Sequence, residues 1–114
     1  MNVIETDFKG LMLIEPTVFK DERGEFYEAW HERDYKKIGI QEDFVQDNRS
    51  LSNQNVLRGM HYQIKHPMGQ LIWVSQGKIF DVVVDLRQNS DTFGKYFSTE
   101  LEAEHPVELY MPPG

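Results

Sequence analysis

The feature that most constrains the fold of this chain is a succession of short strand-like segments separated by turn-forming residues. The predicted strands are residues 11–15, 24–30, 43–48, 56–63, 70–76, 78–87, 95–102 and 106–112. Gly77 separates two of them as a tight hairpin turn, and residues 87–94 form a longer turn. Many short strands at regular spacing predict an all-β fold, built as a sandwich or barrel.

Only residues 31–38 are predicted to be helical. Lys36 and Lys37 lie in the last turn of this segment, where the helix dipole favours cations, and Gly39 follows as a plausible terminating residue. The chain has 114 residues, with no internal repeat and no linker-like tract. We therefore expect one domain over residues 1–114.

On two strands, alternation predicts that an aromatic residue shares its face with polar groups. These sets are Phe26, Glu28 and Trp30 on one strand, and Phe44, Gln46 and Asn48 on the other. A buried polar face needs a ligand, water or a partner subunit to satisfy it; the alternative is that these faces are simply solvated. On strand 78–87 the apolar side is formed by Phe80, Val82, Val84 and Leu86, with Asp81, Val83, Asp85 and Arg87 opposite.

Composition excludes several classes of protein. The net charge of −7 argues against a nucleic-acid-binding protein, although a local pair of arginines can still bind a small anion. The chain has no cysteine, hence no disulfide framework and no thiolate metal site. No signal-like segment and no long apolar run is present, so we expect a cytoplasmic protein without a membrane partner.

The segment "VLRGMHYQ" (56–63) places Arg58, Gly59 and His61 close together. A metal site is disfavoured because Gln63 stands where the second ligand of a His-x-His pair would be. A neutral imidazole can instead abstract a proton, and arginines such as Arg58 suit phosphate. Arg58 and His61 would face opposite sides of a regular strand, so we predict a β-bulge at Gly59 that turns both inward; alternatively, Arg58 serves another pocket or an interface.

Five motifs together resemble one known family. "DERGEFYEAW", "FVQDNRS", "VLRGMHYQ", "GKIFDVVVDLR" and "ELYMPPG", in this order and spacing, resemble the dTDP-4-dehydrorhamnose 3,5-epimerases. The resemblance runs from about residue 8 to the end. It implies a cupin, jelly-roll-like antiparallel β-barrel with one short N-terminal helix. It also implies a substrate, a dTDP-linked 4-keto-6-deoxy sugar of rhamnose or related deoxysugar biosynthesis, with no metal and no cofactor.

The resemblance also implies roles for particular residues. His61 matches the base that removes protons beside the C4 ketone, and Arg58 matches the arginine near the pyrophosphate and sugar. The nucleotide-binding positions are Arg23, Phe26, Glu28, Gln46, Asp47 and Asn48. Because the first strands of the family cross to the partner of a homodimer, Arg23, Phe26 and Glu28 are expected to serve the neighbouring site.

The sequence departs from the family pattern at Gln70, where the family usually has a lysine. Proton removal builds negative charge on the ketone oxygen, and losing one donor to such an oxyanion costs about 3 to 4 kcal/mol. Gln70 can donate a hydrogen bond without a charge, so we assign it to the catalytic set. The alternatives are a 3-epimerase or ketoisomerase relative acting on another nucleotide sugar, or a catalytically weak nucleotide-sugar-binding cupin.

The second departure is at "MPPG" (111–114), which resembles the opening of the second cupin motif. Beyond it the family adds a histidine, a tyrosine and an aspartate that pairs with the base. The chain is therefore expected to be truncated within that motif. If these residues are the whole protein, we expect an inefficient epimerase.

Overall fold

The structure is a computed structural model that describes residues 1–114. Its elements are β1 (Asn2–Glu5), β2 (Met12–Glu15), β3 (Phe19–Asp21), β4 (Gly24–Phe26), α1 (Glu32–Lys37), β5 (Gln70–Ile72), β6 (Lys78–Val84), β7 (Tyr96–Glu102) and β8 (Glu108–Met111). All strand pairs are antiparallel. The predicted all-β, antiparallel architecture with one short helix is therefore confirmed.

Four strands form the central sheet, in the order β1-β2-β8-β5. The two middle strands, β2 and β8, come from opposite ends of the sequence, and Ile14 of β2 lies opposite Glu108 of β8. Side chains on β2 and β8 are buried on both faces of the sheet: Ile14 on one face and Leu109 on the other are both 0% exposed. The central sheet is therefore the middle layer of the molecule.

Helix α1 and its flanking residues cover one face of the central sheet. Tyr35 of α1 and Ile40 pack there against Met12, Ile14 and Tyr110. The helix has acidic residues in its first turn and Lys36 and Lys37 in its last, as the helix dipole favours. A helix of six residues is too short to be stable alone, so its packing on the sheet holds it in place.

The hairpin β6–β7 covers the other face of the central sheet. Leu101 of β7 is buried against Phe8, Leu11 and Leu109, and Val83 of β6 joins this cluster. The face of β6 that packs inward is thus the one containing Val83, whereas Phe80 on the opposite face is 67% exposed. The longer turn predicted for residues 87–94 is confirmed, since it connects β6 to its partner β7.

Two of the predicted strands are absent. Residues 43–48 and 56–63 adopt no regular secondary structure and lie in an irregular segment that runs up to β5 and is exposed at most positions other than Phe44. A strand needs a neighbour to pair its backbone groups, and no strand of this chain pairs with either segment. Their β-forming residues favour an extended conformation, but no strand in the chain pairs with them. Both strand predictions are therefore wrong for this structure.

The hairpin predicted at Gly77 is also wrong. β5 pairs with β8, whereas β6 pairs with β7, so the chain passes from one sheet to another at this point. Gly77 has φ +76°, a conformation that favours glycine, and its carbonyl accepts a hydrogen bond from Ala103 N at 3.0 Å. The glycine therefore marks a corner between sheets. Strands β1 and β3 were not predicted from the sequence.

Candidate functional site

The hairpin β3–β4 carries two of the predicted site residues, Arg23 and Phe26. Arg23 lies in its turn and donates from its guanidinium to the carboxylate of Asp21, with the shortest distance 2.6 Å. This contact lowers the pKa of Asp21. Phe26 lies opposite Phe19, so the two rings share one face of the hairpin; they are 71% and 63% exposed. Phe19 was not predicted, although its pairing across the turn "DERG" is the signal that could have identified it.

The expected common face of Phe26, Glu28 and Trp30 is not observed, because strand β4 ends at Phe26. Glu28 is exposed, whereas Trp30 packs against the core. The ring of Trp30 lies 4.6 Å from that of Tyr35 and 4.9 Å from that of Phe44, measured between centroids. Trp30 is therefore a packing residue that fixes the root of the hairpin.

The three polar residues Gln46, Asp47 and Asn48 are exposed in the irregular segment. The Gln46 amide donates to Asn48 Oδ1 at 3.1 Å, so these two side chains lie together as predicted. Phe44 is half-buried against Trp30 and belongs to the core, so the predicted common face of Phe44 with Gln46 and Asn48 is not formed.

Arg58 is held by local contacts within the same irregular segment. Its Nε donates to Ser52 Oγ at 2.9 Å, and its terminal nitrogen donates to the carbonyl of Leu51 at 3.2 Å. The guanidinium is exposed and makes no ion pair. Its charge is therefore available to an anion.

His61 is exposed and makes no hydrogen bond with any other residue. Gly59, two residues earlier, has φ +114°, and a Cβ atom placed on it would lie 3.6 Å from Nδ1 of His61. The imidazole thus folds back against the glycine. The bulge predicted at Gly59 is not present because this segment is not paired in a sheet.

Gln70 opens strand β5 and lies opposite Met111 of β8. Met111 packs in the cluster between the central sheet and β6–β7, so Gln70 is half-buried on that inner face. On β6, Asp81 lies two residues before Val83 and so shares its inward face. Burial raises the pKa of Asp81. The inter-sheet space therefore holds an amide on one sheet and a carboxyl on the other.

The predicted residues thus form separate local groups in this structure. No hydrogen bond joins His61, Arg58 and Gln70 to one another, and the nucleotide-binding set is divided between the hairpin β3–β4 and the irregular segment. No three imidazole or carboxylate groups converge where a cation could bind. No helix has the length and apolarity needed to cross a lipid bilayer.

Comparison with known proteins supplies a second kind of observation. The model of the dTDP-4-dehydrorhamnose 3,5-epimerase family matches residues 5–114. An epimerase of that name from Methanothermobacter thermautotrophicus is 46% identical over 97% of this chain and 60% of its own length. The chain thus spans about 60% of the length of this curated relative.

Two solved structures match the fold. The dTDP-4-dehydrorhamnose 3,5-epimerase of Elizabethkingia anophelis superposes with a TM-score of 0.92 and 46% identity, covering 100% of this chain and 63% of its own. A dTDP-6-deoxy-D-glucose-3,5-epimerase of Legionella pneumophila was solved in complex with dTDP-4-keto-L-rhamnose. It superposes with a TM-score of 0.95 and 43% identity, covering 99% of this chain and 61% of its own. The expected cupin-like jelly-roll fold is thereby confirmed.

Proposed function

Because the chain belongs to the dTDP-4-dehydrorhamnose 3,5-epimerase family, we propose that it forms one cupin-like domain and epimerises a dTDP-4-keto-6-deoxyhexose. This reaction would serve dTDP-rhamnose or related deoxysugar biosynthesis. The observation that carries the proposal is the close superposition on an epimerase that was solved with dTDP-4-keto-L-rhamnose. The cytoplasmic location stays a prediction from the sequence.

In the proposed reaction, His61 removes a proton from C3 or C5 of the sugar, beside the C4 ketone. The electron pair of the broken C–H bond moves onto the ketone oxygen as an enolate, and a proton returns to the other face of the carbon. His61 suits this role chemically because its imidazole is solvent-accessible and not engaged by another side chain. Gln70 would donate a hydrogen bond to the enolate oxygen.

Binding of the nucleotide would use the remaining predicted residues. The paired rings of Phe19 and Phe26 offer an apolar surface on which thymine can stack. Glu28, Gln46, Asp47 and Asn48 supply donors and acceptors for the polar edge of the base. Arg23 and Arg58 supply guanidinium groups for the diphosphate, to which they can donate bidentate hydrogen bonds.

We further propose a homodimer in which the hairpin β3–β4 of one protomer completes the site of the other. Within one chain, this hairpin forms a two-stranded sheet hydrogen-bonded to no other strand. Two-stranded hairpins are marginal in water on their own, and this one exposes two aromatic rings. In the dimer, the partner surface and the thymine bound in its site would together cover both rings and supply the missing contacts.

Deuterium wash-in tests the proposed activity directly. The protein is incubated with dTDP-4-keto-6-deoxyglucose in D₂O, and the signals of C3 and C5 are followed by NMR. We expect exchange at both carbons, because each lies beside the ketone. Retained dTDP binding without exchange at either carbon would contradict catalysis and favour a nucleotide-sugar-binding protein.

A complementation experiment tests the shared site. Phe26→Ala and His61→Ala variants are each expected to be inactive in the exchange assay. In a mixed dimer, the intact hairpin of one variant meets the intact His61 of the other, so one of two sites is whole. After the variants are mixed and allowed to reassociate, we expect about a quarter of the wild-type rate. A mixture as inactive as its components would exclude the exchanged hairpin.

Gln70 favours a second candidate, an epimerase of C3 alone or a ketoisomerase that acts on another nucleotide sugar. An uncharged donor stabilises the enolate less than a lysine would, so the more difficult proton transfer is expected to be lost first. Deuterium at C3 with none at C5 in the wash-in experiment would support this narrower reaction.

A further inference from the structure

A buried carboxyl outside the predicted site lies between the central sheet and the segment that leads into helix α1. Glu108 of β8 is 1% exposed. Its Oε2 lies 2.6 Å from the hydroxyl of Tyr35, and that hydroxyl lies 3.1 Å from the carbonyl oxygen of Ala29. Oε1 of Glu108 is buried without any partner. The three groups thus form a chain from the sheet, through the helix, to the backbone just after the hairpin β3–β4.

A count of hydrogens along this chain constrains the state of Glu108. The carbonyl oxygen of Ala29 can only accept a hydrogen bond, and its single partner is the hydroxyl of Tyr35. Tyr35 has a single proton to donate. If it donates that proton to Ala29, its oxygen must accept from Glu108, and this requires a protonated carboxyl. If Glu108 is ionised, Tyr35 must donate to it, and the Ala29 carbonyl loses its partner.

The surroundings of Glu108 contain no compensating charge. Tyr35 faces it from α1, Tyr27 approaches it from the segment after β4, and the apolar Ile14 lies opposite on β2. No lysine, arginine or histidine forms an ion pair with this carboxyl. An ionised Glu108 would leave a charged oxygen buried and unpaired, which costs far more than an unpaired neutral oxygen.

We propose that Glu108 is protonated in the folded protein and, by donating to Tyr35, positions the Ala29 backbone at the root of the hairpin β3–β4. Ala29 directly follows Glu28 and comes three residues after Phe26. The hydrogen-bonded chain therefore fixes the direction in which Arg23, Phe26 and Glu28 are presented. This positioning role rests on the proposed function, in which those residues bind the nucleotide. The protonation of Glu108 is independent of that function.

Burial accordingly raises the pKa of Glu108 from 4.5 to about 7. A carboxyl with a raised pKa binds its proton more tightly in the folded than in the unfolded state. Its stabilising contribution is complete below the unfolded pKa and is lost as pH rises through about 7. The folding equilibrium constant is expected to fall roughly 300-fold across this range from this group alone. Asp81, whose pKa is also raised, contributes with the same sign, so a variant comparison is needed.

Glu108→Gln provides that comparison, because its amide donates to Tyr35 at every pH. We expect the urea midpoint of the wild type to fall between pH 5 and pH 8, and that of Glu108→Gln to fall much less and to exceed the wild type at pH 8. Glu104→Gln makes the same chemical change at an exposed site and should behave as the wild type. A Glu108→Gln variant less stable than the wild type at pH 8 would show that the ionised form is the native one.

Two measurements separate protonation from positioning. The carboxyl ¹³C signal of Glu108 should titrate near pH 7, and titration at or below 4.5 would overturn the proposal. The dissociation constant of dTDP should rise with pH more steeply in the wild type than in Glu108→Gln, and identical profiles would exclude positioning. If dTDP does not bind at any pH, the proposed function fails, while the carboxyl titration still decides the protonation.

Discussion

Replacing His61 with asparagine is expected to lower the rate of deuterium exchange into a dTDP-4-keto-6-deoxy sugar by about 10² to 10⁴-fold, the usual contribution of a general base. Asparagine keeps a hydrogen-bonding side chain but cannot take up the proton. His61 is exposed and contacts little beyond Gly59, so the melting temperature should not change. The dissociation constant of dTDP should also be nearly unchanged, since the proposed base meets the sugar and not the nucleotide.

The matched control is His66→Asn. His66 is an exposed histidine in the same irregular segment and has no predicted role. The His66→Asn variant should exchange deuterium into the sugar at the wild-type rate. Exchange that persists at full rate in His61→Asn would remove His61 from the mechanism and leave the base to be found elsewhere, with Asp81 on the inner face of β6 as the next carboxyl to test.

The largest expected effect on stability comes from Asp85, at the end of strand β6. Its side chain is 1% exposed and accepts hydrogen bonds from Nε and a terminal nitrogen of Arg87, both at 2.9 Å. The hydroxyls of Ser90 and Thr92 also donate to it. Asp85→Ala removes the one charged partner of the half-buried Arg87 guanidinium, which keeps only the carbonyl of Lys9, and leaves the Ser90 and Thr92 hydroxyls with no acceptor but each other. We expect it to lower the free energy of unfolding by about 3 to 5 kcal/mol, measured by urea denaturation.

Asp91→Ala is the control for this prediction, because Asp91 is exposed in the same loop. Hydrogen bonds from the Arg87 side chain are the main reason why the pKa of Asp85 lies well below its usual value. The sign of this effect is opposite to that of Glu108: its stabilising contribution is present above the unfolded pKa and lost as pH falls through the lowered one. A loss of stability in Asp85→Ala no larger than that in Asp91→Ala would mean that the loop cluster contributes little.

Local sequence patterns predict those elements that neighbouring residues specify. The helix around Tyr35 and the hairpin β6–β7 were found because charge placement, alternation and turn residues identify them locally. The pairing of β2 with β8 could not be predicted, because nothing local in either strand specifies a partner almost the whole chain away. For the same reason, the local pattern around Gly77 predicts a hairpin turn between neighbouring strands.

The same distinction between local and long-range contacts applies to the candidate site. Gln46 and Asn48 lie together because they are two residues apart, and the contacts of Arg23 and Arg58 are also local. The roles proposed for His61 and Gln70 depend on the family resemblance, because their relation to each other requires tertiary structure. The sequence pattern around Glu108 predicts only that it lies in a strand. Its burial depends on helix α1, which no pattern within "PVELYMP" indicates.

The order of strands in the central sheet has a consequence for synthesis on the ribosome. The hairpin β1–β2 is translated before the rest of the central sheet, but the inner edge of β2 is hydrogen-bonded only by β8, which is translated about 90 residues later. At about 5 to 20 residues per second, that edge stays open for roughly 5 to 20 s in each nascent chain. An unpaired apolar strand edge is a template for association with other chains. Because association between nascent chains rises with their concentration, a lower rate of initiation should raise the soluble yield.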